Sequence, residues 1–181
     1  MRNMHLAPIV ESTPPTHLDL CWQTEADTHA FAQQLAQNPA LRSALVTLHG
    51  DLGSGKTTLV RHLLRALGVQ GRIKSPSYAV VEPHQALYEG HTWHAWHFDF
   101  YRFNDPREWE DAGFRDVFAS AGLKLIEWPE KAGDTLPQAD LSLTITPQET
   151  HSPQDTADAP PRLVRLQAHT ALGHACLQGL S

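Results

Sequence analysis

The run Gly50-Asp51-Leu52-Gly53-Ser54-Gly55-Lys56-Thr57 constrains this chain more than any other stretch. It fits the pattern G-x-x-x-x-G-K-[ST], a loop that cradles polyphosphate with backbone amides. Each residue type has its own task. The glycines let the backbone curl so that successive N–H groups point inward. Lys56 places a point charge on the β/γ phosphates, and Thr57 offers a hydroxyl to Mg²⁺. The flanks fit the pattern as well. Leu45-Val46-Thr47-Leu48-His49 reads as a short apolar strand before the loop. After it, Leu59, Leu63, Ala66 and Leu67 recur at helical spacing up to Gly68, a helix stop. Strand, glycine loop and helix therefore follow in the order that aims a helix N-terminus at phosphate. The implied ligand is a nucleoside triphosphate with magnesium.

The 181 residues suit one domain with an adequate core. We expect a tail at 1–16, a single domain at 17–170 and a C-terminal tail at 171–181. With 41% hydrophobic and 19% charged residues the composition is that of an ordinary globular chain, and no apolar run approaches the roughly 18 residues of a membrane span. The N-terminus has no apolar core of a secretory signal. A net charge of −6 argues against a broad electrostatic footprint on nucleic acid. Cys21 and Cys176 form no C-x-x-C pair, so a reducing, cytoplasmic location is the expectation.

Along the chain, His17 to Trp22 alternates as a first strand. Thr24 is placed as an N-cap, with Asp27 three residues on, for a helix ending near Pro39. Tyr78 to Glu82 reads as a strand, Pro83 to Thr92 as a loop, and the aromatic-rich Trp93 to Tyr101 as another strand. Period two puts His97, Asp99 and Tyr101 on one face of it, and Trp96, Phe98 and Phe100 on the other. Asp105-Pro106-Arg107-Glu108 opens a helix, with Trp109 and Phe114 expected to pack it onto the sheet. Leu123 to Trp128 is a strand stopped by Pro129. Leu141–Ile145 and Leu163–Leu166 form a final strand pair, joined by a proline-rich loop at 147–161. The sum is an α/β fold, a three-layer P-loop NTPase domain with a mixed β-sheet.

A P-loop needs a further acid to hold Mg²⁺ or its waters, usually at the end of a neighbouring apolar strand. Asp99 and Glu127 both occupy strand ends, and each could hold metal or orient the attacking water. Either alone could also be an acid that faces solvent.

Four motifs stand in order: Gly50 to Thr58, Lys74-Ser75-Pro76-Ser77-Tyr78, His97-Phe98-Asp99-Phe100-Tyr101-Arg102, and Glu127-Trp128-Pro129. This succession resembles the TsaE (YjeE) family, bacterial ATPases of tRNA threonylcarbamoyladenosine biosynthesis. The resemblance covers about Leu20 to Arg165. It implies ATP as substrate and Mg²⁺ as cofactor, with the nucleotide held by residues Gly50, Asp51, Leu52, Gly53, Ser54, Gly55, Lys56, Thr57 and Thr58. It implies Lys56, Asp99 and Glu127 as catalytic residues and Thr57, Glu127 and Asp99 around the metal. Asp99 takes the Walker-B-like position and Glu127 that of a second carboxylate. Trp128 would lie near the nucleotide, Ser75-Pro76-Ser77 would be a switch-like segment, and the helix start at Thr24-Glu25 would approach the adenine. It also implies TsaD and TsaB as partners, with tRNA reached only through that complex and no membrane. The sequence departs from the family pattern at Ser77, where threonine is usual, and in the stretches Gln85–Trp96 and Pro147–Pro161, which look longer.

His91, His94 and His97 invite a metal site, but three-residue spacing alternates faces on a strand, so surface or packing roles are expected. Arg162 and Arg165 could meet phosphates or sit on a solvent edge. Tyr101 and Arg102 could touch nucleotide or partner, or simply close the strand. Three rival functions share the loop. A small-molecule kinase would need an arginine-rich lid, and a GTPase would carry N-K-x-D; neither occurs. In a non-catalytic ATP-sensing module, ATP binding alone would toggle partner affinity.

Overall fold

A computed structural model describes residues 16–76, 79–105, 108, 113–148 and 160–180. Its centre is a seven-stranded mixed sheet: β1 His17–Trp22, β2 Leu45–His49, β3 Val81–Tyr88, β4 His91–Asp99, β5 Leu123–Glu127, β6 Leu141–Pro147 and β7 Arg162–Ala168. The spatial order is β1-β7-β6-β2-β5-β4-β3. The inner strands β6, β2, β5 and β4 run parallel, and antiparallel strands close both edges. Every residue of β5 and the first four of β2 are buried. That unbroken burial is what central parallel strands covered on both faces require.

Helices supply the cover. α1 (Glu25–Ala36), α2 (Lys56–Ala66) and α4 (Ala171–Leu177) flank one face; α3 (Arg115–Ala119) flanks the other. Short 3₁₀ turns run over Pro39–Ser43 and Pro129–Thr135. One core joins Phe31, Leu35, Leu59, Leu63 and Leu64 to Val46, Leu48, Leu125, Leu143 and Val164. The second gathers Phe98, Phe100, Phe103 and Ile126 against Phe114, Val117 and Phe118. Phe114 meets Phe98 edge-on at 5.4 Å, as the packing of that segment required.

Local signals set the helix ends. The Asp27 carboxylate accepts the backbone N–H of Thr24 at 2.9 Å and of Gln23 at 2.8 Å, closing the start of α1. These bonds hold the Asp27 carboxyl below its ordinary value. At the other end of α2, Gly68 adopts φ 94° and donates to Arg65, while Val69 donates to Leu64. That pair of bonds is the Schellman arrangement, which needs a left-handed residue after the helix. Glu108 Oε1 accepts the N–H groups of Asn104 and Asp105 at 2.9 Å each, half of the expected capping box. Trp109 and the rest of that turn lie outside the described residues, as do Ser77, Tyr78 and most of the 147–161 loop. That loop's two ends meet where Gln148 donates to Pro161 at 2.7 Å.

Two expectations are corrected. The stretch Pro83–Thr92, read as a loop, is an edge strand and a hairpin turn. Glu89 (φ 49°) and Gly90 (φ 79°) form the two-residue turn between β3 and β4. Pro83 is tolerated because β3 is the sheet edge, where one row of N–H groups is not needed for pairing. The expected tail at 171–181 contains α4, whose Cys176 and Leu177 are buried in the main core. Thr170 caps it by accepting from Gly173 at 3.1 Å.

Candidate nucleotide-binding site

The C-terminal ends of the parallel strands converge on one edge of the sheet, the usual position for ligands in open α/β folds. β2 ends at His49 and passes into the loop Gly50–Gly55. α2 begins at Lys56, with Gly55 (φ 111°) as its N-cap. Gly50 is also left-handed, at φ 137°, and a β-carbon there would run into the Ile145 carbonyl and the Ser54 hydroxyl. Only glycine lets the loop pass so close to β6.

Beside the loop lies a cleft of about 410 Å³, lined by Leu52, Gly53, Gly55, Lys56, Thr57 and Thr58 from the loop and helix. Its other walls are Ser75, Asp99, Tyr101, Arg102, Glu127, Trp128 and Arg162. Gly50, Asp51 and Ser54 shape the loop from behind. Gly50 and Asp51 offer their carbonyl oxygens to Lys56 Nζ at 2.5 and 2.9 Å, and Ser54 is buried. The Lys56 ammonium also lies 4.1 Å from the centre of the Trp128 ring. Burial holds that ammonium below the ordinary lysine value, an effect opposed by the carboxylates of Glu127, Glu130, Asp99 and Asp51.

The two acids come together because β4 and β5 pair in register, with Asp99 opposite Glu127. Thr57 Oγ1 donates to the Glu127 carboxylate and stands 2.9 Å from both of its oxygens. Asp99 accepts from Ser75 Oγ at 3.2 Å and from the Tyr101 N–H at 3.0 Å. The segment expected to be switch-like thus touches Asp99 through Ser75. Val80, three residues beyond that segment, adopts φ 65° and accepts the Asp99 N–H at 2.9 Å. A β-branched residue in this region is strained. Trp128 is strained too, at φ 57°, ψ 48°, immediately after Glu127. Its ring meets Tyr101 at 5.0 Å and closes the cleft over Lys56. Strain of this kind, about 1–3 kcal/mol per residue, clusters at functional sites.

The donors facing one another here, a hydroxyl and two carboxylates, are all oxygen. They fit a hard divalent cation such as Mg²⁺, which takes few protein ligands and fills its sphere with water and phosphate.

Glu25 lies elsewhere. Its carboxylate accepts from His62 Nε2 at 2.9 Å on the α1–α2 surface, and it does not line the cleft. The arginines part company: Arg162 lies against Gly55 at the cleft, whereas Arg165 pairs with Asp19 at 2.7 Å on the β1–β7 edge. The three histidines also diverge. His91 is exposed and bonds Glu89 O, and His94 stacks on Trp96. His97 is buried and bonds Glu127 Oε1 at 2.8 Å. This last contact is the one sequence reasoning missed, although period two had already set His97 on the face of Asp99.

Comparison with known proteins decides the family. The family model described as "Threonylcarbamoyl adenosine biosynthesis protein TsaE" matches residues 22–156. The chain belongs to the TsaE family. The tRNA threonylcarbamoyladenosine biosynthesis protein TsaE of Haemophilus influenzae is 43% identical over 115 residues, 64% of this chain and 70% of that protein. The TsaE of Bacillus subtilis is 33% identical over 128 residues, 70% and 77% of the two chains. The crystal structure of Bacillus subtilis YdiB superposes with a TM-score of 0.67 at 23% identity, covering 90% of this chain and 92% of that one, and shows the same fold. TsaE proteins are thus named for tRNA modification, and this chain carries their P-loop architecture. No helix among the described residues is long and apolar enough to cross a membrane.

Proposed function

We propose that this TsaE-family protein hydrolyses ATP to ADP and phosphate with Mg²⁺, in the cytoplasm, to drive threonylcarbamoyladenosine modification of tRNA together with TsaD and TsaB. The observation that carries the reading is the convergence of Lys56, Thr57, Asp99 and Glu127 on one cleft beside the P-loop. The loop amides and the N-terminus of α2 bind the polyphosphate, and Lys56 neutralises its β/γ oxygens. Thr57 and Glu127 would hold Mg²⁺, with Asp99 beside them; bound there, the ion supplies charge stabilisation at the β/γ oxygens. Asp99 accepts one hydrogen bond on each oxygen and lines the cleft, where its carboxylate would orient the attacking water. Trp128 and Tyr101 wall the cleft against bulk solvent. Arg162 adds positive charge beside Gly55.

The acidic net charge of −6 suits a protein that drives partners rather than one that grips RNA broadly. An Asp99→Ala protein that binds ATP normally yet fails to support tRNA modification would sink the rival reading of an ATP-sensing module with no hydrolysis. The test is Mg²⁺-dependent phosphate release from ATP with TsaD and TsaB present, compared between the wild type and Asp99→Ala, followed by nucleoside analysis of the tRNA.

A further inference from the structure

Resting on that reading, we propose that His97 is a positioning residue that holds the Glu127 carboxylate in its Mg²⁺-binding orientation. His97 is 0% exposed and Glu127 2% exposed. Their side chains meet at 2.8 Å between Nε2 and Oε1. Imidazole is an expensive residue to bury unless a polar partner compensates it. Its other nitrogen, Nδ1, is buried with no hydrogen-bond partner among the described residues, so Glu127 is the contact that rationalises its place. Facing a carboxylate, Nε2 carries the proton and donates.

The sheet explains how the contact arises. His97 stands opposite Leu125, and Asp99 stands opposite Glu127, on neighbouring parallel strands. His97 therefore shares a face with Asp99 and reaches one step along it to Glu127. Glu127 would otherwise hang on several rotatable bonds with Thr57 as its hydroxyl partner. With His97 on Oε1, the carboxylate is pinned from the interior, while Thr57 Oγ1 stands 2.9 Å from both of its oxygens at the cleft. Outer partners of this kind fix the direction of a metal ligand, and their loss commonly costs 10–100-fold in metal affinity.

The experiment measures binding of a non-hydrolysable ATP analogue across a Mg²⁺ titration, with thermal melting of each protein as a check on the fold. His97→Phe keeps the bulk but removes the donor. It should raise the Mg²⁺ concentration for half-maximal binding about 10-fold or more and leave the affinity without Mg²⁺ unchanged. His97→Gln restores an N–H donor and should recover most of the loss. A folded His97→Phe protein with the wild-type Mg²⁺ requirement overturns the proposal, and so does a His97→Gln protein as impaired as His97→Phe. If His97→Phe does not fold, His97→Gln against the shorter His97→Asn decides. A wild-type Mg²⁺ requirement in Gln but not Asn supports the role, and equal behaviour of the two overturns it. A wild-type protein whose nucleotide binding ignores Mg²⁺ would instead remove the underlying reading, and the role of His97 with it.

Discussion

Lys56 is held by two carbonyl oxygens of its own loop and by the face of Trp128. Phosphate oxygens would displace those partners, because they add a full ion pair with the ammonium that neutral carbonyls and an indole face do not supply. Nucleotide binding should therefore draw the ammonium off the indole and change the fluorescence of Trp128. The wild-type signal should shift on adding ATP, and the shift should vanish in Trp128→Phe while binding persists. A full-sized shift in Trp128→Phe would assign the signal to another of the five tryptophans and contradict the displacement. At this scale the P-loop residues, Asp99 and Glu127 were legible because each motif specifies a residue type for a known task. His97 was not. Its spacing from Asp99 gave its face, but its bond reaches a residue thirty positions away on another strand. Glu25 fails for the opposite reason, since a short motif could not show that His62 would claim its carboxylate.

Among the elements, β2, β5, β6, β7, α1 and α2 follow closely from apolar periodicity and capping residues. β3 and its turn into β4 did not, because Glu82-Pro83-His84-Gln85 is polar and contains a proline. An edge strand needs only one side of its ladder and half of its side chains buried, so the apolar signal is faint. α4 was hidden by its brevity; its place is fixed by packing rather than by propensity. That packing makes a prediction. Glycine to alanine inside a helix ordinarily stabilises by about 1 kcal/mol. Gly173 is buried in α4, however, and a β-carbon there would run into the Asp140 carbonyl. Gly173→Ala should instead destabilise the protein by about 1–3 kcal/mol, as overpacked sites do. Urea unfolding reads the sign, and an increase in stability would show that α4 is free to move off the sheet.

Across the molecule, burial of ionisable groups sets how stability depends on pH. Burial pushes both His49 and His84 below the ordinary histidine value, with the neighbouring Glu130 and Glu82 opposing that shift. The unfolded chain then binds more protons than the folded one as pH falls through about 6.5, so stability is full above that value and declines below it. The urea midpoint should drop between pH 8 and pH 5.5. His84→Gln, which lies away from the cleft, should make the drop smaller; an equal drop would remove His84 from the explanation. Mixed sheet, two flanking helix layers and a strand-end cleft together place one set of charged groups around one small volume. We propose that this set turns over ATP for tRNA modification. The decisive measurement is phosphate release from Mg²⁺-ATP in the presence of TsaD and TsaB, wild type against Asp99→Ala at matched ATP occupancy. The wild type should release phosphate steadily. The variant should lose about 100-fold or more, the scale of a missing catalytic acid or base, with threonylcarbamoyladenosine lost from the tRNA in parallel. Release by Asp99→Ala at the wild-type rate, or tRNA fully modified without hydrolysis, would contradict the proposal.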